Sequence, residues 1–311
     1  MQTLWLHIGM QKTGTSAVQT WMARNEARLF DAGLLYVRPR KGLPASGALA
    51  AALNRDPPEA QRLIAELLDR VRKAGPSLTD ILVSSEDFSV SPPQVAAPLL
   101  DAFAGCRIRI LVWLRRQDLF AEALTKQWIK WNGNQAQDPA LLMRKVVAPL
   151  LDYDRMLQAW SDAFPQAVIL PQIYAEDLPG QPPPDNIAAL LRAMGRDPLI
   201  PSDSPGHRAN VSPQAALLQH YRTLDDPVRV RQANRRLMAQ GPDRFAGRGD
   251  LFSPADRQRI LDDHAASNAR LRARWFPDRA QLFDPRDPAP HPGHASGEAA
   301  VAAFRAIYDA E

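Results

Sequence analysis

The sequence predicts an α/β protein built on a central parallel sheet, with helical insertions and a helical C-terminal region. Three observations lead there. Short apolar runs alternate with segments of helical period through the first two thirds of the chain. The run at 80–84 reads as a short buried strand, and that at 107–114 has a nearly continuous apolar core, Ile110 to Leu114, as a parallel strand covered on both faces does. The first run ends in a polar, glycine-bearing loop that opens a helix: Leu4-Trp-Leu-His-Ile-Gly-Met-Gln-Lys-Thr-Gly-Thr-Ser16.

Taken in order, a strand over 3–9 feeds that loop and a helix over 15–32, with Val18, Trp21, Met22 and Leu29 on its apolar face and Gly33 at its end. A Gly/Pro-containing loop covers 38–47, and an amphipathic helix 57–74. Strand 80–84, helix 92–103, strand 107–114 and helix 118–131 continue the alternation. The last of these sets Leu119, Phe120, Ala123, Leu124, Gln127 and Trp128 at helical spacing. Residues 141–164 read as largely helical with a break near Pro149. Residues 167–174 read as a strand with Pro171 at an edge or end, and 185–194 as a helix after the Pro-rich turn at 179–184. Further on, Ser212 and Ser253 are set as N-caps with Pro213 and Pro254 at the first helical position. The expected organisation is an α/β domain over 1–283, a Pro/Gly-rich linker over 284–297, and a C-terminal helix over 298–311.

Composition removes several function classes. The formal charge of +4 over 311 residues is spread among many acids, with no concentrated basic helix and no aromatic-basic groove, so no nucleic-acid partner is expected. One cysteine, Cys106, rules out an internal disulfide framework and is expected in the core. No run is long and apolar enough to span a bilayer, and the first strand leaves little room for a removable targeting segment; a cytoplasmic protein is expected. No His/Cys set has metal-ligand spacing, so no metal is expected.

The first loop has the chemistry of an anion site. Backbone N–H groups and the helix dipole converge where a strand turns into a helix; Lys12 adds a mobile positive charge, and Thr15 and Ser16 add hydroxyl donors. A Walker loop places four residues between its first glycine and a Gly-Lys pair, whereas Lys12 follows Gly9 by three and precedes Gly14. A dinucleotide fingerprint needs three glycines in another rhythm. Neither pattern fits.

The stretch resembles the 5′-phosphosulfate loop of the sulfotransferases, whose P-loop-like three-layer fold binds 3′-phosphoadenosine 5′-phosphosulfate. A second segment strengthens the resemblance: the strand 107–116 ends in Arg115 and Arg116, at the carboxyl end where open α/β sheets place ligands. The resemblance implies that Gln11, Lys12, Thr13, Gly14, Thr15 and Ser16 hold the 5′ end of this co-substrate and that Arg115 holds its 3′-phosphate. The family's serine eight residues after that arginine is Ala123 here; Thr125, Lys126 and Arg116 are candidates to compensate. A late loop, Ser204 to Pro213, occupies the position of the family's nucleotide-closing segment, with Arg208 as its candidate contact and Asn210 as its anchor. The wider α/β resemblance covers about 1–280.

Sulfuryl transfer develops negative charge on the bridging oxygen of the departing nucleotide and removes a proton from the acceptor hydroxyl. Lys12 is the natural group for the first task. For the second, Glu86 in Ser84-Ser-Glu-Asp87 stands at the end of a strand, as the glutamate base of carbohydrate sulfotransferases does; the same residues also read as a serine cap with acids in a first helical turn. Asp87 is the second carboxylate, and His7 the other candidate base, with a structural role as its alternative. The acceptor is expected to be a hydroxyl-bearing small molecule or glycan, carbohydrate and glycolipid included. Trp128, Lys130 and Trp131, and the basic loop with Arg38, Arg40 and Lys41, are candidate acceptor contacts, with core packing the alternative for the aromatics. A non-catalytic nucleotide-binding or scaffold protein of the same fold is the competing reading, and a nucleotide-dependent kinase a weaker one. Oligomeric state is not legible.

Overall fold

The computed structural model describes residues 1–38, 45–133, 143, 147–176, 178–202, 212–247, 251–288 and 295–310. In chain order the elements are β1 (Thr3–His7), α1 (Thr15–Arg24), α2 (Glu26–Asp31), β2 (Leu34–Tyr36), α3 (Gly47–Arg55), α4 (Pro57–Ala74), β3 (Asp80–Ser84), α5 (Ala97–Ala102), β4 (Arg107–Leu114), α6 (Gln117–Asn132), α7 (Tyr153–Ala163), β5 (Val168–Ile173), α8 (Asn186–Ala193), α9 (Ala215–Tyr221), α10 (Pro227–Ala239), α11 (Pro254–Asp263), α12 (Ala265–Trp275) and α13 (Gly297–Tyr308). The protein is a mixed α/β fold with a central parallel sheet, helical insertions and a helical C-terminal region. Its chain divides into two compact units.

The first unit, Met1–Leu114, Tyr153–Tyr174 and Asp185–Ala209, holds the sheet. Strand order is β2-β3-β1-β4-β5, every pairing parallel. The central residues of the strands are mostly apolar, as in parallel sheets covered on both faces, and every residue of β1 and β3 is buried. Trp5, Leu82, Leu111 and Trp113 pack with Val18 and Met22 of α1 and Leu190 and Leu191 of α8. β1 lies at the centre, flanked by β3 and β4, and the chain turns to opposite sides of it. This is the switch point at which open α/β sheets form a ligand crevice.

The second unit, Arg115–Asp152, Ala175–Pro184 and Asn210–Glu311, is helical. Ile129 of α6, Leu217, Leu218 and Tyr221 of α9, Val230 and Leu237 of α10, and Phe304 of α13 form its core. A charged clasp sits beside α6. The Arg116 guanidinium is 6% exposed and donates to both oxygens of Asp118, to the carbonyls of Asp284, Pro285 and Arg286, and to Asp287. Arg257 closes the ring on Asp118 and Asp287. Residues 284–287, read from composition as the start of a linker, are thus gripped along their backbone by one side chain.

Several elements differ from expectation. The helix over 15–32 is two helices broken at Asn25, whose side-chain amide donates to the Trp21 carbonyl and competes with the backbone ladder. The helix over 92–103 starts as a 3-10 turn, Pro93–Ala96, because Pro98 has no N–H to continue one regular ladder. Ser212 and Pro213 cap nothing. They run extended beside 245–247, through a Pro213–Ala246 bridge and a Gly247 N–H to Ser212 carbonyl bond of 2.9 Å, and α9 begins at Ala215 after Gln214. Ser253 does cap α11, accepting from the Asp256 N–H at 3.1 Å. Cys106 is half-buried and precedes β4 rather than joining the core; burial pushes its thiol up. Among the described residues no helix is long and apolar enough to cross a membrane.

The clasp makes a stability prediction. Burial pulls the Asp118 carboxyl up, but Arg116 and Arg257 prevail and hold it below its ordinary value of 3.8. Asp118→Ala leaves two guanidinium groups without their shared carboxylate and is expected to cost about 3–5 kcal/mol, read from the urea midpoint. In the wild type this contribution is present above the ordinary carboxylate pKa and fades as pH falls below it. An unchanged midpoint in the variant would show the clasp to be energetically idle.

Candidate functional site

Parallel pairing ends β1 and β3 level, with His7 opposite Ser84, so the segments that follow the two strands emerge side by side. Beyond His7 the chain stays latched to its neighbours. Ile8 and Met10 donate to the carbonyls of Leu111 and Trp113, the Trp113 N–H donates to the Gly9 carbonyl at 2.8 Å, and the Ser85 N–H donates to the His7 carbonyl at 3.1 Å. The loop then turns through Gln11 and Lys12 to Gly14, the N-cap of α1.

Glycine is required at two points. Gly9 has φ +112°, and a Cβ there would stand 3.3 Å from both Cα and Cβ of Glu86. Gly14 has φ +75°, and a Cβ would run into the side-chain amide of Asn186 at the start of α8. Lys12 also adopts a left-handed backbone, φ 60°. Left-handed residues in such a loop turn successive N–H groups toward one side. The Gly14 carbonyl takes the N–H groups of Ala17 and Val18 at 3.1 and 3.4 Å, so Thr15 and Ser16 supply the helix N–H groups that have no intrahelical acceptor.

The predicted hydroxyls divide into different tasks. Thr13 is buried, and its hydroxyl donates to the Met10 carbonyl at 2.7 Å, closing the loop on itself. Thr15 donates to Glu86 Oε2 at 2.5 Å. Ser16 is exposed. On the partner strand, Ser85 is the cap: its Oγ accepts from the Asp87 N–H at 3.3 Å and starts the 3-10 turn Glu86–Val90. The cap therefore belongs to Ser85, and Glu86 is turned to the loop. Burial pushes the Glu86 carboxyl up; the Thr15 bond opposes this, Asp87 adds to it and the Lys12 charge opposes it, with a net rise. Asp87 stays with the Ser85 hydroxyl.

His7 lies beneath the loop, 3% exposed. Its Nδ1 pairs with Ser84 Oγ at 2.8 Å, and Gln19 of α1 donates to the same oxygen at 3.2 Å. The Trp113 ring meets it edge-on at 5.2 Å. Its buried Nε2 has no hydrogen-bond partner among the described residues, and the ring borders a narrow cleft shared with Thr13, Thr15 and Asn186. Burial depresses its pKa to about 4, against a weak opposing pull from the Gly9 carbonyl.

The other predicted residues stand elsewhere. Arg115 is paired bidentately with Glu176, at 2.5 and 2.9 Å, both side chains 11% exposed. Arg116 is locked in the clasp. Lys126 is buried between Glu122, at 3.1 Å, and the Gly247 carbonyl, at 3.0 Å, and Thr125 is fully buried. The three candidates to replace the missing serine hydroxyl are thus interior groups. Trp128 and Trp131 are exposed on α6, with the Arg231 guanidinium over the Trp131 ring, while burial pushes Lys130 down. Arg38 pairs with Glu26. Arg208 and Asn210, with Arg40 and Lys41, lie outside the described residues. Among the described residues no group of three or more His, Cys, Asp or Glu side chains is placed to hold a metal. Asn186 and Gln19 are neighbours of the loop that the sequence reading did not name; the Asp185 carboxylate, which caps α8 just before Asn186, is a local signal of a helix start and not of a site.

No family model matches the chain. An uncharacterised protein of Archaeoglobus fulgidus is 27% identical over 195 residues, covering 58% of this chain and 49% of its own. The chain therefore spans about half the length of the curated relative it matches. Among solved structures, a sulfotransferase domain from the curacin biosynthetic pathway aligns over 85% of this chain and 98% of its own, at 12% identity and a TM-score of 0.39. A likeness of that size assigns no role to any residue, and the site rests on its own geometry.

The state of His7 is testable. Its pKa falls from 6.5 in the unfolded chain to about 4 when folded, so the unfolded state binds more protons between those values. Stability should therefore fall by roughly 3 kcal/mol as pH drops from 7 to 4. His7→Asn, which keeps a polar group near Ser84 but cannot titrate there, should flatten that slope in denaturant titrations across the same range. An identical slope would place the titrating group elsewhere.

Proposed function

We propose that the protein is a sulfotransferase that moves a sulfuryl group from 3′-phosphoadenosine 5′-phosphosulfate to an acceptor hydroxyl, with carbohydrates and glycolipids as the first acceptors to try. The observation that carries this reading is the meeting of Glu86 with Thr15 on a loop that also presents Lys12 and the α1 N-terminus. A phosphate loop alone would support binding; a carboxylate held against it supports proton removal beside a bound anion.

The residues divide the chemistry as follows. N–H groups of the loop and of Thr15 and Ser16 bind the 5′ phosphosulfate. The acceptor oxygen attacks sulfur, its proton passes to Glu86, and the bond from sulfur to the bridging oxygen breaks. Lys12 offsets the charge left on that oxygen, and 3′-phosphoadenosine 5′-phosphate leaves. A carboxylate whose proton affinity is raised by burial is a stronger base than an exposed one. His7, neutral near pH 7, is assigned to support of the β1 end. Arg115 is assigned to the 3′-phosphate, which would replace Glu176 as the bidentate partner of its guanidinium. No metal takes part in this scheme, and a cytoplasmic site of action goes with it.

A non-catalytic nucleotide-binding protein is favoured by one observation: Ala123 lacks the hydroxyl, and Thr125, Lys126 and Arg116 are all buried.

Two variants separate these readings in an assay of sulfate transfer from labelled co-substrate to a carbohydrate acceptor panel. Lys12→Ala is expected to lower kcat by about 10²–10³-fold. Glu86→Gln is expected to lower it by about 10²–10⁴-fold while binding of 3′-phosphoadenosine 5′-phosphate, followed by calorimetry, is kept. Turnover untouched by Glu86→Gln removes the base assignment. Nucleotide binding with no transfer to any acceptor favours the non-catalytic reading.

A further inference from the structure

The placement of Glu86 has a consequence for which anions the loop accepts. A catalytic base needs only to reach the acceptor proton. Here the carboxylate accepts a hydrogen bond from the Thr15 hydroxyl at 2.5 Å, so it borders the anion cradle itself. Its backbone is pressed to the loop as well, since a Cβ on Gly9 would stand 3.3 Å from Glu86 Cα and Cβ. An anion entering the loop meets a like-charged competitor, Glu86, for the Lys12 charge and for the Thr15 donor.

We propose that Glu86 is a charge filter at the loop, favouring a terminal sulfuryl group, which carries one negative charge, over a terminal phosphoryl group of the same shape, which carries two. This rests on the nucleotide-binding reading above and deepens it. The two ligands are isosteric, so shape cannot separate them; the second charge can. Repulsion from Glu86 is relieved only if the carboxylate or the phosphoryl group takes up a proton, so binding of the diphosphate is linked to proton uptake.

The charged surroundings of Glu86 fit this role. Lys12 faces it from the loop and Asp87 from its own turn. β1 contributes His7, which is neutral near pH 7. The 3-10 turn Pro93–Ala96 that packs on Glu86–Val90 has no titratable side chain, and α3, also packed there, has only Arg55 at its far end. Among the described residues, the charges that act on Glu86 are thus one ammonium, Lys12, and one further carboxylate, Asp87, so with its own charge the local balance is negative before any ligand arrives. An added dianion makes that imbalance worse than a monoanion does.

The test is calorimetry at pH 8 with the full chain, titrating 3′-phosphoadenosine 5′-phosphosulfate against 3′-phosphoadenosine 5′-diphosphate in two buffers of different ionisation heat. The wild type is expected to bind the phosphosulfate roughly tenfold or more tightly, a gap set by one extra charge near a partly buried carboxylate, and to take up close to one proton with the diphosphate. Glu86→Gln is expected to bind the phosphosulfate at least as well as the wild type, to close most of the gap, and to lose the proton uptake. Equal wild-type affinities without proton uptake, or a gap that survives unchanged in Glu86→Gln, overturns the filter while leaving the nucleotide site standing. The wild-type proton count needs no variant, so a misfolded Glu86→Gln does not remove the test. If the wild type binds neither nucleotide, the proposed function falls and the filter with it.

Discussion

The register between β1 and β3 is the constraint on which the candidate site depends. Because the two strands run parallel and end level, the residues after His7 and those after Ser84 occupy the same edge of the sheet. A shift of one residue would turn every side chain of a strand to the opposite face. Trp5 would then lose the Asp80 carboxylate that its indole N–H meets at 2.6 Å, and the Gly9–Glu86 approach would disappear. Burial of both strands on both faces fixes that register, and the two glycines translate it into a loop close enough for a carboxylate to touch.

That closeness sets opposing electrostatic demands. A loop built for anions needs positive potential, supplied by Lys12 and the α1 N-terminus. The proposed reaction also needs a carboxylate base beside the same anion. Partial burial of Glu86 reconciles the two, because it raises the carboxyl's proton affinity while the Thr15 hydroxyl keeps the ionised form hydrogen-bonded. His7 beneath the loop follows the opposite logic. A charged imidazole there would add to the cradle's positive field, but desolvation keeps it neutral, and the Ser84 oxygen, shared with Gln19, uses it as a fixed polar wedge.

What was legible in the sequence follows from how local each signal is. Strands 80–84 and 107–114 and the helix over 57–74 were read to their ends because short apolar runs and an amphipathic period are signals carried by nearby residues. The loop was legible for the same reason. β2 is three residues long, too short to show a period, and so merged with the turn after Gly33. The break at Asn25 was hidden because Asn is tolerated in a helix until its amide finds a backbone carbonyl. The neighbours of the site were hidden by distance along the chain. Asn186 meets Gly14 only because α8 packs on α1, and nothing at either position announces the other.

Arg115 and Arg116 show how far residue type carries an argument and where it stops. Both stand at the end of an apolar strand, both are arginines, and sequence alone offers the same ligand to each. Successive residues of an extended chain point to opposite sides, and that alternation separates them. Arg116 meets a carboxylate two residues on and a run of backbone carbonyls about 170 residues away, which use its donors for holding the chain together. Arg115 meets the Glu176 carboxylate, 61 residues away, in the bidentate geometry that a phosphate would also adopt. A guanidinium that bridges five groups cannot be recruited without dismantling its surroundings, whereas the Glu176 carboxylate occupies the fork of Arg115 that a phosphate would take in the proposed site. The distinction between a structural and a ligand-binding arginine is therefore a distinction of partners, which sequence position does not carry and packing does.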